Sequence, residues 1–174
     1  MNRLIRLAAL PILLLILPQT LRADPIPNSQ IDGKGFISNV IRSHETREQR
    51  RVTEEQFLEM AKDKNTLILD ARSPVRFEQM HISGAKNLAF TDFTEAALKV
   101  LIPSKDSRIL IYCNNNVENS PVAFPSKMAS ASLNLSTLPA LYSYGYKNVY
   151  ELGPVLDPAK SKIKFEGSLL VAGR

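Results

Sequence analysis

At 174 residues the chain has room for one domain with a substantial core, and its 44% apolar and 22% charged residues are ordinary globular values. The formal charge of +5 is concentrated at the start: Arg3, Arg6 and Arg22 lie within the first 22 residues, and the remainder carries 19 Lys and Arg against 17 Asp and Glu. That near balance excludes a domain-wide basic stripe, and with it nucleic acid as the expected partner.

Met1 to Arg6 is a short basic segment, and Leu7 to Pro18 is an almost unbroken apolar run of 12 residues. Such a run is short of the roughly 20 residues a spanning helix needs and suits the apolar region of a signal peptide. Ala23 then places a small residue just before Asp24. Residues 1–23 are therefore expected to be a cleaved export signal, with an uncleaved N-terminal anchor as the other reading. The mature chain is expected to be periplasmic or secreted, without stable membrane insertion. Cys113 is the only cysteine, so in an oxidising compartment it forms no internal disulfide. Its thiol is then free, oxidised, joined to another molecule, or catalytic.

Residues 24–50 read as a leader or linker. They open on turn-forming Asp24, Pro25, Pro27 and Asn28, and end in His44 to Arg51, where acids and bases interleave as on a solvated helix. Arg51 and Val52 suit a short edge strand. Thr53 to Gln56 is a capping box that opens a helix with Phe57, Leu58 and Ala61 on one face. Thr66 to Asp70 is an apolar run ending in an acid, as in a buried parallel strand. Ser73 and Pro74 start a short helix over Val75 to Met80. A turn at His81 to Gly84, a strand at Ala85 to Leu88 and a helix at Thr91 to Leu101 follow. Arg108 to Tyr112 is the second buried strand. Beyond it, Lys127 to Leu133 reads as a partial helix, and Ser136 as the cap of a helix that ends at Gly145. Lys147 to Leu152 reads as a last strand. The tail, 154–174, shows only local patterning, with Phe165 set against the body. This alternation points to an α/β domain with a mostly parallel sheet.

Cys113 stands directly after the second buried strand, and ligands of open α/β sheets bind at the carboxyl ends of strands. Backbone N–H groups of a curled loop there would favour an anionic sulfur. No His, Asp and Glu cluster has metal-ligand spacing, and His44 is isolated in charged sequence, so neither a metal nor a cofactor is expected.

Three motifs in order resemble the rhodanese-like family: Asp70-Ala71-Arg72 followed by Phe77-Glu78 and by His81-Ile82-Ser83-Gly84-Ala85-Lys86-Asn87; a buried strand Ile109 to Tyr112 ending in Cys113; and Gly145 to Leu152 near the domain end. The resemblance runs from about Arg51 to Gly153. It implies a three-layer α/β fold with a central, mostly parallel five-stranded sheet flanked by helices, a domain over 51–153 and a sulfur-carrying cysteine at Cys113. By the same resemblance Asn114, Asn115, Asn116, Val117 and Glu118 form the anion-binding loop. Asp70 and Arg72 support the pocket, with Glu78 a suitable partner for Arg72, and His81 belongs to the turn.

The loop departs from the family's usual Cys-x-x-Gly-x-Arg or Cys-x-x-Gly-x-Thr. Asn116 stands for the glycine and tolerates left-handed geometry, but Glu118 puts a carboxylate where a cation or hydroxyl would hold an anion. Cys113 and Gly145 are 32 residues apart, which requires an insert at about 119–133. The resemblance implies a sulfurtransferase that passes sulfane sulfur through a Cys113 persulfide to a thiophilic acceptor. Its partners would be a small sulfur-containing anion or a thiol, with a protein partner also open. The altered loop keeps a second reading open, a non-catalytic binding or thiol redox-sensing module. Cysteine-phosphatase chemistry wants an arginine six residues after the cysteine, where Asn119 stands.

Overall fold

A computed structural model describes residues 26–171. The stretch read as an export signal, 1–23, lies outside the described residues. Residues 26–31 carry only a turn, and the compact unit begins at Asp32.

The unit is built on five parallel strands: β1 (Arg51–Val52), β2 (Thr66–Asp70), β4 (Lys86–Asn87), β5 (Arg108–Tyr112) and β6 (Val149–Leu152). Their spatial order is β1-β6-β5-β2-β4, which makes β5 the middle strand. The long pairing is β2 with β5, in register from Thr66 opposite Arg108 to Asp70 opposite Tyr112. Their continuous apolar runs are explained by burial on both faces. Ile68, Leu110 and Leu152 join one core with Phe57 of α2 (Glu54–Ala61) and Met80, just after α3 (Pro74–Gln79). Leu69, Ile109, Ile111 and Val149 join the other with Leu98 of α4 (Glu95–Leu101) and Leu138 and Leu141 of α5 (Leu133–Ser143). Side chains alternate between faces at period two, giving the three layers. Burying each large side chain contributes about 1.5–3 kcal/mol.

Local chemistry sets the element ends. Thr53 and Gln56 close a reciprocal capping box, with amide-to-side-chain bonds of 2.9 and 3.2 Å. α5 ends where Gly145 adopts φ +85°, so that its amide reaches Tyr142 O (3.0 Å) and the Tyr146 amide reaches Leu141 O (2.9 Å).

Four elements differ from the sequence expectation, the first being the partial helix expected over Lys127 to Leu133, where only a 3₁₀ turn at Ala129–Ala131 forms before α5 begins. The helix expected from Thr91 starts at Glu95, because Thr94 Oγ1 accepts from the Ala97 amide and a 3₁₀ turn occupies Phe90–Asp92. The helix expected after a cap at Ser136 starts four residues earlier, directly after Ser132. The turn expected at His81 contains β3 (His81–Ile82), antiparallel to β7 (Phe165–Glu166) of the tail, which continues into α6 (Ser168–Val171).

The stretch read as a leader holds α1 (Gly33–Arg47), whose Gly35 amide donates to Asp32 Oδ1 (2.9 Å). It packs on α5 through Asn39 to Ser143 (2.8 Å) and Thr46 to Tyr142 (2.7 Å). Among the described residues no helix is long and apolar enough to cross a membrane.

Candidate active site

Two strand ends meet at the site. β2 delivers Asp70, Ala71 and Arg72, and β5 delivers Tyr112 and Cys113. Asp70 is fully buried and receives Arg72 in a fork, Nε to Oδ1 at 3.0 Å and Nη2 to Oδ2 at 2.6 Å. It also accepts the Arg72 amide (2.9 Å) and the Tyr112 hydroxyl. Burial, reinforced by the Asp70 charge, holds the Tyr112 phenol well above its ordinary value, so it stays a donor to Asp70. The rest of the Arg72 guanidinium donates to Met80 O (2.8 Å) and Ala123 O (2.9 Å) and lies 3.8 Å from the Phe124 ring centroid. The partner of Arg72 is thus Asp70 rather than Glu78, which is exposed. Asn87 fastens the same corner, its amide nitrogen donating to Asp70 O and Arg72 O.

His81 is remote from the thiol in its bonding. Nδ1 lies 2.7 Å from Phe77 O, Nε2 lies 3.0 Å from Glu166 of β7, and the ring stacks on Phe77. Glu166 is held below the usual carboxylate range by the Gly84 amide, the Ser83 hydroxyl and His81. His81 therefore locks the tail to the turn.

Cys113 is 1% exposed, and its Sγ lies 3.3 Å from Ser132 Oγ, at the end of the insert. The three asparagines after it have different tasks. Asn114 is buried and lines a cavity of about 430 Å³ together with Arg72, Ser73, Arg76, Thr91 and Lys127. No acid is among the residues that line this cavity. Asn115 clamps the insert, donating to Lys127 O (2.7 Å) and accepting from the Lys127 amide (3.2 Å). Asn116 turns its side chain inward: Oδ1 accepts from the Cys113 amide (2.9 Å), and Nδ2 donates to Leu152 O (2.7 Å) and Pro154 O (3.2 Å).

The loop does not leave all its amides for a ligand. The Asn116 amide bonds Cys113 O (3.1 Å) and the Glu118 amide bonds Leu156 O (2.9 Å). Val117 is buried in a parallel bridge to Leu156, and the Glu118 side chain is exposed. The insert then drops Ala123 and Phe124 into the core, while residues 126–131 stay exposed. A second cavity, of about 300 Å³, is lined in part by Arg47, Asn116, Ser132 and Glu151. Cys113 lines neither cavity. Ser132, Asn134, Glu151, Arg47, Arg76 and Lys127 have no signal in the sequence that marks them: Glu151 and Arg76 fall at positions the motifs leave open, and the others lie outside the motifs and reach the loop only through the packing of α1, α5 and the insert.

The sequence model of the rhodanese-like domain matches residues 53–153, more than half of the chain. The chain belongs to the rhodanese-like domain family. No curated protein matches it. Among solved structures it is similar to the BH2092 protein from Bacillus halodurans, at 19% identity, TM-score 0.52, over 76% of this chain and 88% of that one. A rhodanese with anions from E. coli matches at 18% identity and TM-score 0.40, over 59% of this chain and 99% of that one. The Alr3790 protein from Anabaena sp. matches at 19% and 0.45, over 71% and 86%. The Bacillus likeness agrees with the parallel five-stranded sheet. The family match begins at Thr53, so α1 lies outside it.

Proposed function

We propose that this rhodanese-like chain is a sulfurtransferase in which Cys113 carries sulfur as a persulfide. The observation that supports it is the place of Cys113 at the carboxyl end of the middle strand, next to Asn114 and its acid-free cavity edged by Arg76 and Lys127. Cations without a facing acid favour an anionic donor. The deprotonated thiol attacks the outer sulfur of a thiosulfate-type donor, the S–S bond breaks and sulfite leaves with its electron pair. A thiophilic acceptor, cyanide or a thiolate, then attacks the terminal sulfur and returns Cys113 as thiolate. No cofactor enters this cycle.

The test is intact mass of the full chain after incubation with thiosulfate. One added sulfur atom is expected, and none in Cys113→Ser. The absence of an adduct from both thiosulfate and polysulfide, in protein whose Cys113 still reacts with iodoacetamide, refutes transfer. That outcome favours the second reading, a thiol module that binds or senses. The burial of the thiol and the commitment of the Asn116 and Glu118 amides speak for it. Export rests on the sequence alone: N-terminal sequencing of the protein from cells is expected to begin at Asp24, and a first residue of Met1 refutes cleavage.

A further inference from the structure

We infer that Arg47 of α1, outside the family match, is a positioning residue that holds the Cys113 loop closed through Glu151, Asn134 and Asn116. Glu151 on β6 is 6% exposed, an expensive place for a carboxylate unless it is paired. Arg47 meets it with Nη2 donating to Oε1 at 2.8 Å, while Nε and Oε2 lie 2.6 Å apart as an ion pair outside hydrogen-bond geometry. The same Oε1 accepts from Asn134 Nδ2 (3.2 Å), and that nitrogen also donates to Asn116 Oδ1 (3.2 Å). Asn116 Oδ1 is the acceptor of the Cys113 amide. Asn134 and Asn116 are themselves buried.

The chain of contacts is directional. Arg47 balances the Glu151 charge through one hydrogen bond and one ion-pair contact, and Asn134 is shared between Glu151 and Asn116. Without Arg47, an unpaired buried carboxylate competes for Asn134 far more strongly than a neutral amide oxygen does. Asn134 then turns to Glu151, Asn116 keeps only the Leu152 O and Pro154 O bonds to hold its Oδ1 toward the Cys113 amide, and that anchor weakens. The loop opens and the thiol becomes accessible.

The inference rests on Cys113 being the group that reacts, but its readouts are thiol access and amide exchange. Neither requires sulfur transfer, so failure here and failure of the transfer reading are told apart. In the full chain, Arg47→Met is expected to raise the alkylation rate of Cys113 by iodoacetamide about tenfold, equal to about 1.4 kcal/mol in the opening equilibrium. Faster hydrogen exchange of the Cys113 amide is expected with it. Arg47→Met with Glu151→Gln is expected to return both toward the parent, because glutamine still accepts from Asn134 without a charge to draw it away. Thr46→Val loosens the same α1–α5 contact without touching the relay and is expected to change neither. An unchanged rate in Arg47→Met, no rescue by the double variant, or an equal rise in Thr46→Val overturns the inference. Should Arg47→Met not fold, Asn134→Ala cuts the relay without disturbing α1, and an unchanged rate there overturns it too.

Discussion

Replacing Arg72 by methionine keeps much of the side-chain volume and removes the guanidinium that joins β2 to the insert. Asp70, fully buried, would then keep only the Arg72 amide and the Tyr112 hydroxyl as donors. Breaking a buried pair from one side costs about 3–5 kcal/mol, because the remaining charge stays desolvated. Two more acceptors, Met80 O and Ala123 O, lose a donor each, and the Phe124 face loses its cation. These terms overlap, but they place the loss at the upper end of that range, a large share of the 5–15 kcal/mol typical of a domain. With a urea dependence of about 1–3 kcal/mol per molar, the midpoint is expected to fall by roughly 2 M. The loss has a location as well as a size. Ala123 and Phe124 are held by Arg72, so protease cutting within the exposed 126–131 stretch is expected to speed up by more than the global destabilisation accounts for. A urea midpoint within experimental scatter of the parent refutes the role given to Arg72. A fall in midpoint without faster cutting limits that role to the Asp70 pair.

Two further outcomes follow from the same geometry. The Tyr112 phenol is held above its ordinary value of 10.0 by burial and Asp70. Above that value the unfolded chain ionises while the folded chain does not, so this contribution is intact below it and is lost as pH rises toward the folded value. Urea titrations at rising alkaline pH are expected to show Tyr112→Phe less stable at neutrality by about 1 kcal/mol but with a shallower alkaline decline; parallel declines refute the assignment. Gly167 has φ +139°, and a Cβ there would lie 2.5 Å from Gln79 O. Gly167→Ala is therefore expected to detach the β3–β7 pairing, read as faster amide exchange at His81 and Ile82 with the parallel sheet intact, and unchanged exchange would argue against that close approach.

Much of the sheet was legible because its signals are local or periodic. Thr66 to Asp70 and Arg108 to Tyr112 are long apolar runs, and Thr53 with Gln56 is a cap that satisfies itself. The β3–β7 pair was not legible, since two-residue strands 83 positions apart carry no period and no turn between them. The start of α5 was missed for a related reason: Ser136 looks like a cap, but Ser132 sits where the insert ends and faces the thiol. At the site, the position of Cys113 could be read from strand and motif. Whether its loop is free could not, because that depends on where Asn115 and Asn116 send their side chains. Those partners, Lys127, Leu152 and Pro154, are set by an insert and a strand end distant in sequence.

The insert is fastened unequally, and this bears on how a sulfur donor could reach Cys113. Its first part, through Phe124, is anchored by Arg72 donating to Ala123 O, by Arg76 donating to Val122 O, and by the buried Phe124 ring against the Arg72 guanidinium. Its second part is held by the two Asn115–Lys127 bonds and by the single contact from Ser132 to Sγ. Neutral bonds of the second kind contribute about 0.5–1.5 kcal/mol each, against about 1.5–3 kcal/mol for each charge-assisted bond of the first. Release of 125–132 is therefore expected to cost less than release of 121–124. That movement frees Lys127 from Asn115 and removes Ser132 from the sulfur together, so the group that covers the thiol and a cation that edges its cavity move as one. Relay and insert hold the loop from opposite ends. The Lys127 fastening runs through its main-chain N–H and C=O, and Arg47 guards the other end.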